Sequence, residues 1–358
     1  MMKSKMLRLF LIAVCLFATL GMSAQQNKKA EQQYDEFVEL VHSHQFEKAA
    51  ALLKKTISMK MPVAQKLEYT LHLGVLYKDS LLNYNESMKY LEQAHALESK
   101  LLKQKNLGLE DCQSALALHF VMSEVADSLK DYVRMHEVDE CGTRLYEKVV
   151  APKIHASSAD TPAEEFEEME LMHAMLYTNL GNALGKRGKY EESAASFEKG
   201  LSIIQELIDS PAGSPVQYAM KWNFRLIYSL MYSKMKGDYE KAYDVIIQNL
   251  PEFQAQINTE DSDMKELMEM QAPMYIFYMA DGAYETARYE QCAQLCADAL
   301  TWPNRMYAPA ILDKRGQALL KLGQEDEARE CWSQVKEIIP DFYDNDLPNN
   351  PLRDKFGK

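Results

Sequence analysis

Apolar and small residues recur along this chain at helical spacing between short polar turns, and Tyr177–Leu201 shows the pattern without gaps. Leu180 precedes Gly181, and counting from Gly181 the offsets are +3 for Leu184, +7 for Gly188, +9 for Tyr190, +12 for Ser193, +16 for Phe197 and +19 for Gly200. From Gly316 the same offsets reach Leu319, Gly323, Glu325, Ala328, Trp332 and Val335, and Pro340 follows. Two helices and their turn have to satisfy one set of offsets, so the spacing predicts an antiparallel helix pair with Gly188 or Gly323 in the turn. Glycine there supplies a positive φ that other residues adopt only with strain. Small residues let the two helices approach, and large ones such as Phe197 and Trp332 fill the gap to the next pair. Weaker copies occur around Phe46, Tyr84, Asp131-Tyr132, Gly237-Asp238-Tyr239-Glu240-Lys241-Ala242 and Tyr289.

The offsets resemble the tetratricopeptide repeat, in proteins of the exported bacterial type. The resemblance implies an all-α fold, a right-handed superhelical solenoid of antiparallel helix pairs over residues 25–340, in about seven units. The turn positions Phe46, Tyr84, Tyr132, Tyr190, Tyr239, Tyr289 and Glu325 are 38, 48, 58, 49, 50 and 36 residues apart. Regular repeats sit about 34 apart, so the middle units are expected to carry longer helices or inserted loops. The linkers fall at Ala156–Thr161, at Ser210–Pro215 and at Asn258–Asp263.

Members of this family bind extended peptides or partner helices in a concave groove lined by first helices. Those that grip a C-terminal carboxylate do so with Lys, Arg and Asn. Asn182 occupies one such place and Lys186 is nearby, but Val75, Met231 and Asp281 stand where a second Asn would be sought, so the clamp is incomplete. Apolar stripes are the other groove candidates: Phe224, Ile227, Tyr228, Met231 and Met235, then Met274, Phe277, Tyr278 and Tyr284. They face either the groove or the core between helices, and a register slipped by one would expose Leu226 and Leu230 instead. Solvent accessibility at Tyr228 and Leu230 separates these readings.

The N-terminus and the charge place this architecture in a cell. Lys3, Lys5 and Arg8 precede the apolar run Leu9–Leu20, so residues 1–24 read as a secretory signal. The run is short of the roughly 20 apolar residues that span a bilayer; a retained anchor, or a lipoprotein at Cys15, is the alternative. The net charge is −13, and removal of the three N-terminal cations takes it to −16. That balance, without a basic stripe, argues against nucleic acid as partner. Residues 341–358 read as a polar tail. The expected location is a bacterial periplasm or envelope, and the expected partner is a protein or peptide.

Candidate chemistry is sparse, and neither a metal nor a cofactor is expected. Gly181-Asn182-Ala183-Leu184-Gly185-Lys186 has three residues between its glycines where a phosphate loop has four, and Arg187 stands in the magnesium-binding place. Cys292 and Cys296 lie one helical turn apart, as buried small residues, metal ligands or an oxidised pair. Glu164–Glu170 is an acidic run at a helix start, where the helix dipole favours carboxylates. The leading expectation is a non-enzymatic scaffold. A ligand-sensing module with a Met/Tyr-lined pocket is the alternative.

Overall fold

In a computed structural model, helices begin at Phe46, Tyr84, Tyr132, Tyr190, Tyr239, Tyr289 and Glu325, the seven turn positions spaced along the sequence. The described residues are 28–104, 107–156, 163–210, 214–256, 259–301 and 307–340. The signal-like residues 1–24, residues 157–161 of the first linker and the tail 341–358 lie outside them. The helix pairs are α1 (Lys28–His42) with α2 (Phe46–Ile57), α3 (Val63–Asp79) with α4 (Tyr84–Leu101), and α5 (Leu109–Ser128) with α6 (Tyr132–Leu145). α6 runs on through a π-turn at Tyr146–Val150 into α7 (Ala151–Ala156). Then come α8 (Ala163–Lys186) and α9 (Tyr190–Ile208), followed by α10 (Pro215–Leu230), a π-segment Met231–Lys236 and α11 (Tyr239–Ile246). A 3-10 turn and α12 (Leu250–Gln256) lead to α13 (Ser262–Glu285) with α14 (Tyr289–Leu300), and α15 (Ala308–Lys321) with α16 (Glu325–Ile338). The described residues contain no strand.

One backbone geometry recurs at all seven turn positions. The residue two before each second helix has positive φ: His44, Leu82, Lys130, Gly188, Gly237, Ala287 and Gly323, with angles from 51° to 78°. Polar side chains then start several of the second helices. Asn83, Asp131 and Asp238 accept the free backbone N–H of Glu86, Arg134 and Lys241 at 3.1, 3.1 and 3.2 Å. Longer middle helices account for the wide spacing, since α8 and α13 have 24 residues each and α5 has 20.

The chain divides into two compact units, Met1–Arg187 and Gly188–Lys358. In the first, Ser87 donates its hydroxyl to the Gly74 carbonyl at 2.7 Å, and a Cβ on Gly74 would lie 2.6 Å from Leu91, so α3 and α4 touch through backbone. Leu71, Leu91, Leu118, Val121 and Val125 build a core between α3, α4 and α5. In the second unit, Trp222 is fully buried and stacks on Phe253 with ring centroids 4.4 Å apart. Ser229 donates to the Ala242 carbonyl at 2.8 Å, and a Cβ on Gly316 would meet Trp332 Nε1 at 2.7 Å. Cys292 and Cys296 are buried free thiols in this core.

The repeat-marking residues divide between the core and the exposed turns. Leu180, Phe197, Ala242, Ala328 and Trp332 are buried. Tyr190 is half-buried and donates its hydroxyl to the Met235 carbonyl at 2.7 Å. Tyr239 is 38% exposed instead of filling its turn. The first helix of that pair ends in the π-segment, whose wider turns shift the face that follows, and Tyr232 is the buried aromatic there.

Candidate functional site

Of the apolar stripes, Phe224, Tyr228, Met231 and Met274 are buried, and Ile227, Met235, Phe277, Tyr278 and Tyr284 are half-buried. At the deciding positions, Tyr228 is 6% exposed and Leu230 is half-buried, while Leu226 is buried as well. Tyr228 stacks on Phe197 at 4.9 Å and donates to Glu198 Oε1 at 3.2 Å. That part of the stripe is core. What stays accessible is a narrower apolar strip: Ile227 and Met235 beside the Phe197 cluster, and Phe277, Tyr278 and Tyr284 along the larger core.

Three lysines of the first helices are paired with carboxylates of neighbouring helices. In the first unit, Lys78 of α3 pairs with Glu124 of α5 and lies 3.5 Å from Asp79. Lys186, at the end of α8, pairs with Asp127 of α5 and lies 5.0 Å from the centre of the Tyr132 ring. Burial raises the Glu124 carboxyl, and Lys78 partly offsets that. Asn182 is half-buried one turn before Lys186, inside α8, so the glycine-flanked segment around it is continuous helix rather than a phosphate loop. In the second unit, Lys314 of α15 pairs with Asp281 of α13 at 2.7 Å and covers the Tyr284 ring at 4.7 Å. Lys221 is buried between Gln205 and Glu252, and Glu252 also accepts from Trp222 Nε1 at 3.1 Å.

Two features of the first unit have no counterpart in the local sequence motifs. A cleft of about 570 Å³ is lined by Lys54, Lys66 and Lys100 with Thr70, Tyr90 and Gln93, and by no Met. The second is a buried polar group at the crossing of α4, α5 and α6. Glu98 Oε2 lies 2.6 Å from His95 Nδ1, and Glu98 Oε1 lies 2.8 Å from His119 Nε2. His119 Nδ1 lies 3.1 Å from the Val138 carbonyl, and the two rings meet edge to face at 5.4 Å. Burial opposes ionisation of Glu98, but hydrogen bonds with His119 and His95 outweigh it and hold the carboxyl down at about 2. One turn further along α5, Ser123 donates to Asp139 Oδ2 at 2.9 Å, and burial holds the Asp139 carboxyl well above its ordinary range. The i, i+3 spacing of His95 and Glu98 is visible in the sequence; that His119 completes the group depends on how the helix pairs stack.

Antiparallel helix pairs in series, joined by one recurring turn, define a helical-repeat protein. Residues 173–211 match the profile of the tetratricopeptide repeat, so that stretch of the chain carries such a repeat. Among solved structures, BtubC from P. vanneervenii is similar at 14% identity, over 73% of this chain and 94% of that one, with a TM-score of 0.46. A tetratricopeptide repeat protein from Parabacteroides merdae is similar at 13% identity, over 86% and 92%, with a TM-score of 0.44. Kinesin light chain repeats from Podosopora anserina are similar at 14% identity, over 66% and 100%, with a TM-score of 0.45. Likenesses this loose say nothing of what the chain binds. No curated protein matches the chain at a significant level.

Proposed function

We propose that this chain is an exported, non-enzymatic scaffold of a bacterial envelope that holds a protein or peptide partner against its first helices. Export rests on the signal-like residues 1–24. The scaffold reading rests on the repeat architecture, which repeats a packing surface rather than assembling acids, bases and nucleophiles around one cavity. The observation that carries the binding mode is the state of the first helices. In the second unit Lys314 is spent on Asp281, whereas Phe277, Tyr278 and Tyr284 remain partly accessible. Such a surface suits an apolar helix or strand-like segment better than a free carboxylate, since aromatic side chains supply contact area with few rotatable bonds.

The test is crosslinking and affinity capture from envelope extracts with the wild type and a Phe277→Ala/Tyr278→Ala double variant. Both positions are half-buried, so circular dichroism is run alongside to confirm that helix content is kept. Loss of specific partners from the folded variant is expected. Identical partner sets would remove the assigned surface, and absence of any partner from both would remove the scaffold reading itself.

A further inference from the structure

We propose that His95, Glu98 and His119 bind one divalent transition-metal ion of the zinc class. One ligand atom from each lies within 4.8 Å of the other two, with no ion present. Two imidazole nitrogens and a carboxylate form a donor set suited to zinc, cobalt or nickel, and unlike the all-oxygen sets that take calcium or magnesium.

The orientation of His119 is the strongest argument. A backbone carbonyl only accepts, so the contact at 3.1 Å with Val138 places a proton on Nδ1. Nε2 then turns its remaining position toward Glu98 Oε1 at 2.8 Å. In a neutral ring that position is a lone pair, and two acceptors cannot face each other at this distance unless a positive centre lies between them. A second proton meets that need at this separation, and a metal ion would take its place with the two ligand atoms opening by about 0.5 Å, the spacing that tetrahedral bonds of about 2 Å require. An Nδ1–H anchored on a carbonyl, with Nε2 aimed at the ion, is also how proteins commonly hold a metal-ligating histidine.

Burial and access fit the same reading. Glu98 and His119 are 2% and 1% exposed, whereas the His95 side chain is 42% exposed. Two ligands are therefore fixed in the core, and the third stands at the surface, where an ion enters and water takes the remaining position. His95 and Glu98 come from α4 and His119 from α5, so a bound ion ties together two consecutive helix pairs of the first unit. Binding to the folded chain alone raises its thermal stability by mass action. The site is separate from the apolar strip proposed for partner binding and does not depend on it.

The experiment uses the full-length chain, freed of metal by a chelator and titrated with Co²⁺ and then Zn²⁺. One Co²⁺ per chain with the intense visible ligand-field absorption of a four-coordinate site is expected, bleached by Zn²⁺, together with a rise in Tm. The His95→Asn variant changes the exposed ligand, so it is expected to keep the wild-type circular dichroism and to bind Co²⁺ at least tenfold more weakly. NMR of the wild type needs no variant, and Zn²⁺ is expected to move the ring signals of His95 and His119 together. Three results would each overturn the site: no absorption or Tm change with metal in excess, a thiolate charge-transfer band indicating cysteine ligation, or unshifted His119 signals.

Discussion

Ala287 holds φ at +58°, a conformation glycine holds at the equivalent places in three other turns. An L-residue in this region carries about 1 kcal/mol of strain. Ala287→Gly is therefore expected to stabilise the chain by up to about 0.5 kcal/mol once the greater flexibility of unfolded glycine is deducted, read as a higher urea midpoint. Gly237→Ala is expected to do the reverse. A Cβ there meets nothing within 4 Å, so the loss of about 1 kcal/mol is purely backbone strain. A loss of stability in Ala287→Gly would show that the left-handed turn carries less strain than the flexibility glycine adds to the unfolded chain. The glycine turns are legible in the sequence. His44, Leu82 and Lys130 are not, because nothing in those side chains announces a positive φ; only their place two residues before a repeat position does.

Within single elements, burial sets up opposed titrations. On α3, burial, aided by Glu110, raises the Glu68 carboxyl from 4.5 to about 7, while burial lowers His72, whose Nδ1 lies 2.6 Å from the Tyr34 hydroxyl, from 6.5 to about 4. A depressed histidine leaves stability at its full value above pH 6.5 and removes it as pH falls toward 4. A raised carboxyl acts the other way, with stability full below pH 4.5 and lost as pH rises through 7. Each swing is at most about 3 kcal/mol, so the two largely cancel in the wild type. His72→Gln is expected to lose stability as pH rises from about 4.5 to about 7, and Glu68→Gln to lose it as pH falls across that window. Parallel pH profiles for the two variants in chemical denaturation would contradict this. The starts of the second helices were easy to place from the sequence because the turn pattern marks each one and an aromatic residue opens all but the last, which begins at Glu325. The facing of the Phe224–Met235 stripe was not, since the π-segment at Met231–Lys236 changes the rotation per residue partway along it.

At the scale of the whole chain, each of the two compact units has cores of its own. Contacts in repeat arrays run between neighbours, so damage stays local. Gly316→Ala drives a Cβ to within 2.7 Å of Trp332 and is expected to destabilise by about 1–3 kcal/mol. Hydrogen exchange is expected to speed up in α14, α15 and α16, with amides of α1–α6 unchanged; a uniform rise across the chain would indicate one cooperative unit instead. Periodicity made the serial helix pairs readable, because each pair repeats one packing problem. The division at Gly188 was hidden, since it falls inside the best-formed repeat, where no change of composition marks it. His119 joining Glu98 was hidden for a related reason: stacking between pairs leaves no spacing rule behind.

The engaged lysines of the first helices bear on how binding will respond to salt. A chain of net charge −13 would ordinarily attract basic partners and release them as ionic strength rises. Along the first helices, however, Lys78, Lys186 and Lys314 are each neutralised in place by a carboxylate of a neighbouring helix. A segment that docks on the apolar strip of α13 meets Lys314 already paired with Asp281, so its affinity should stay nearly level from dilute buffer to seawater.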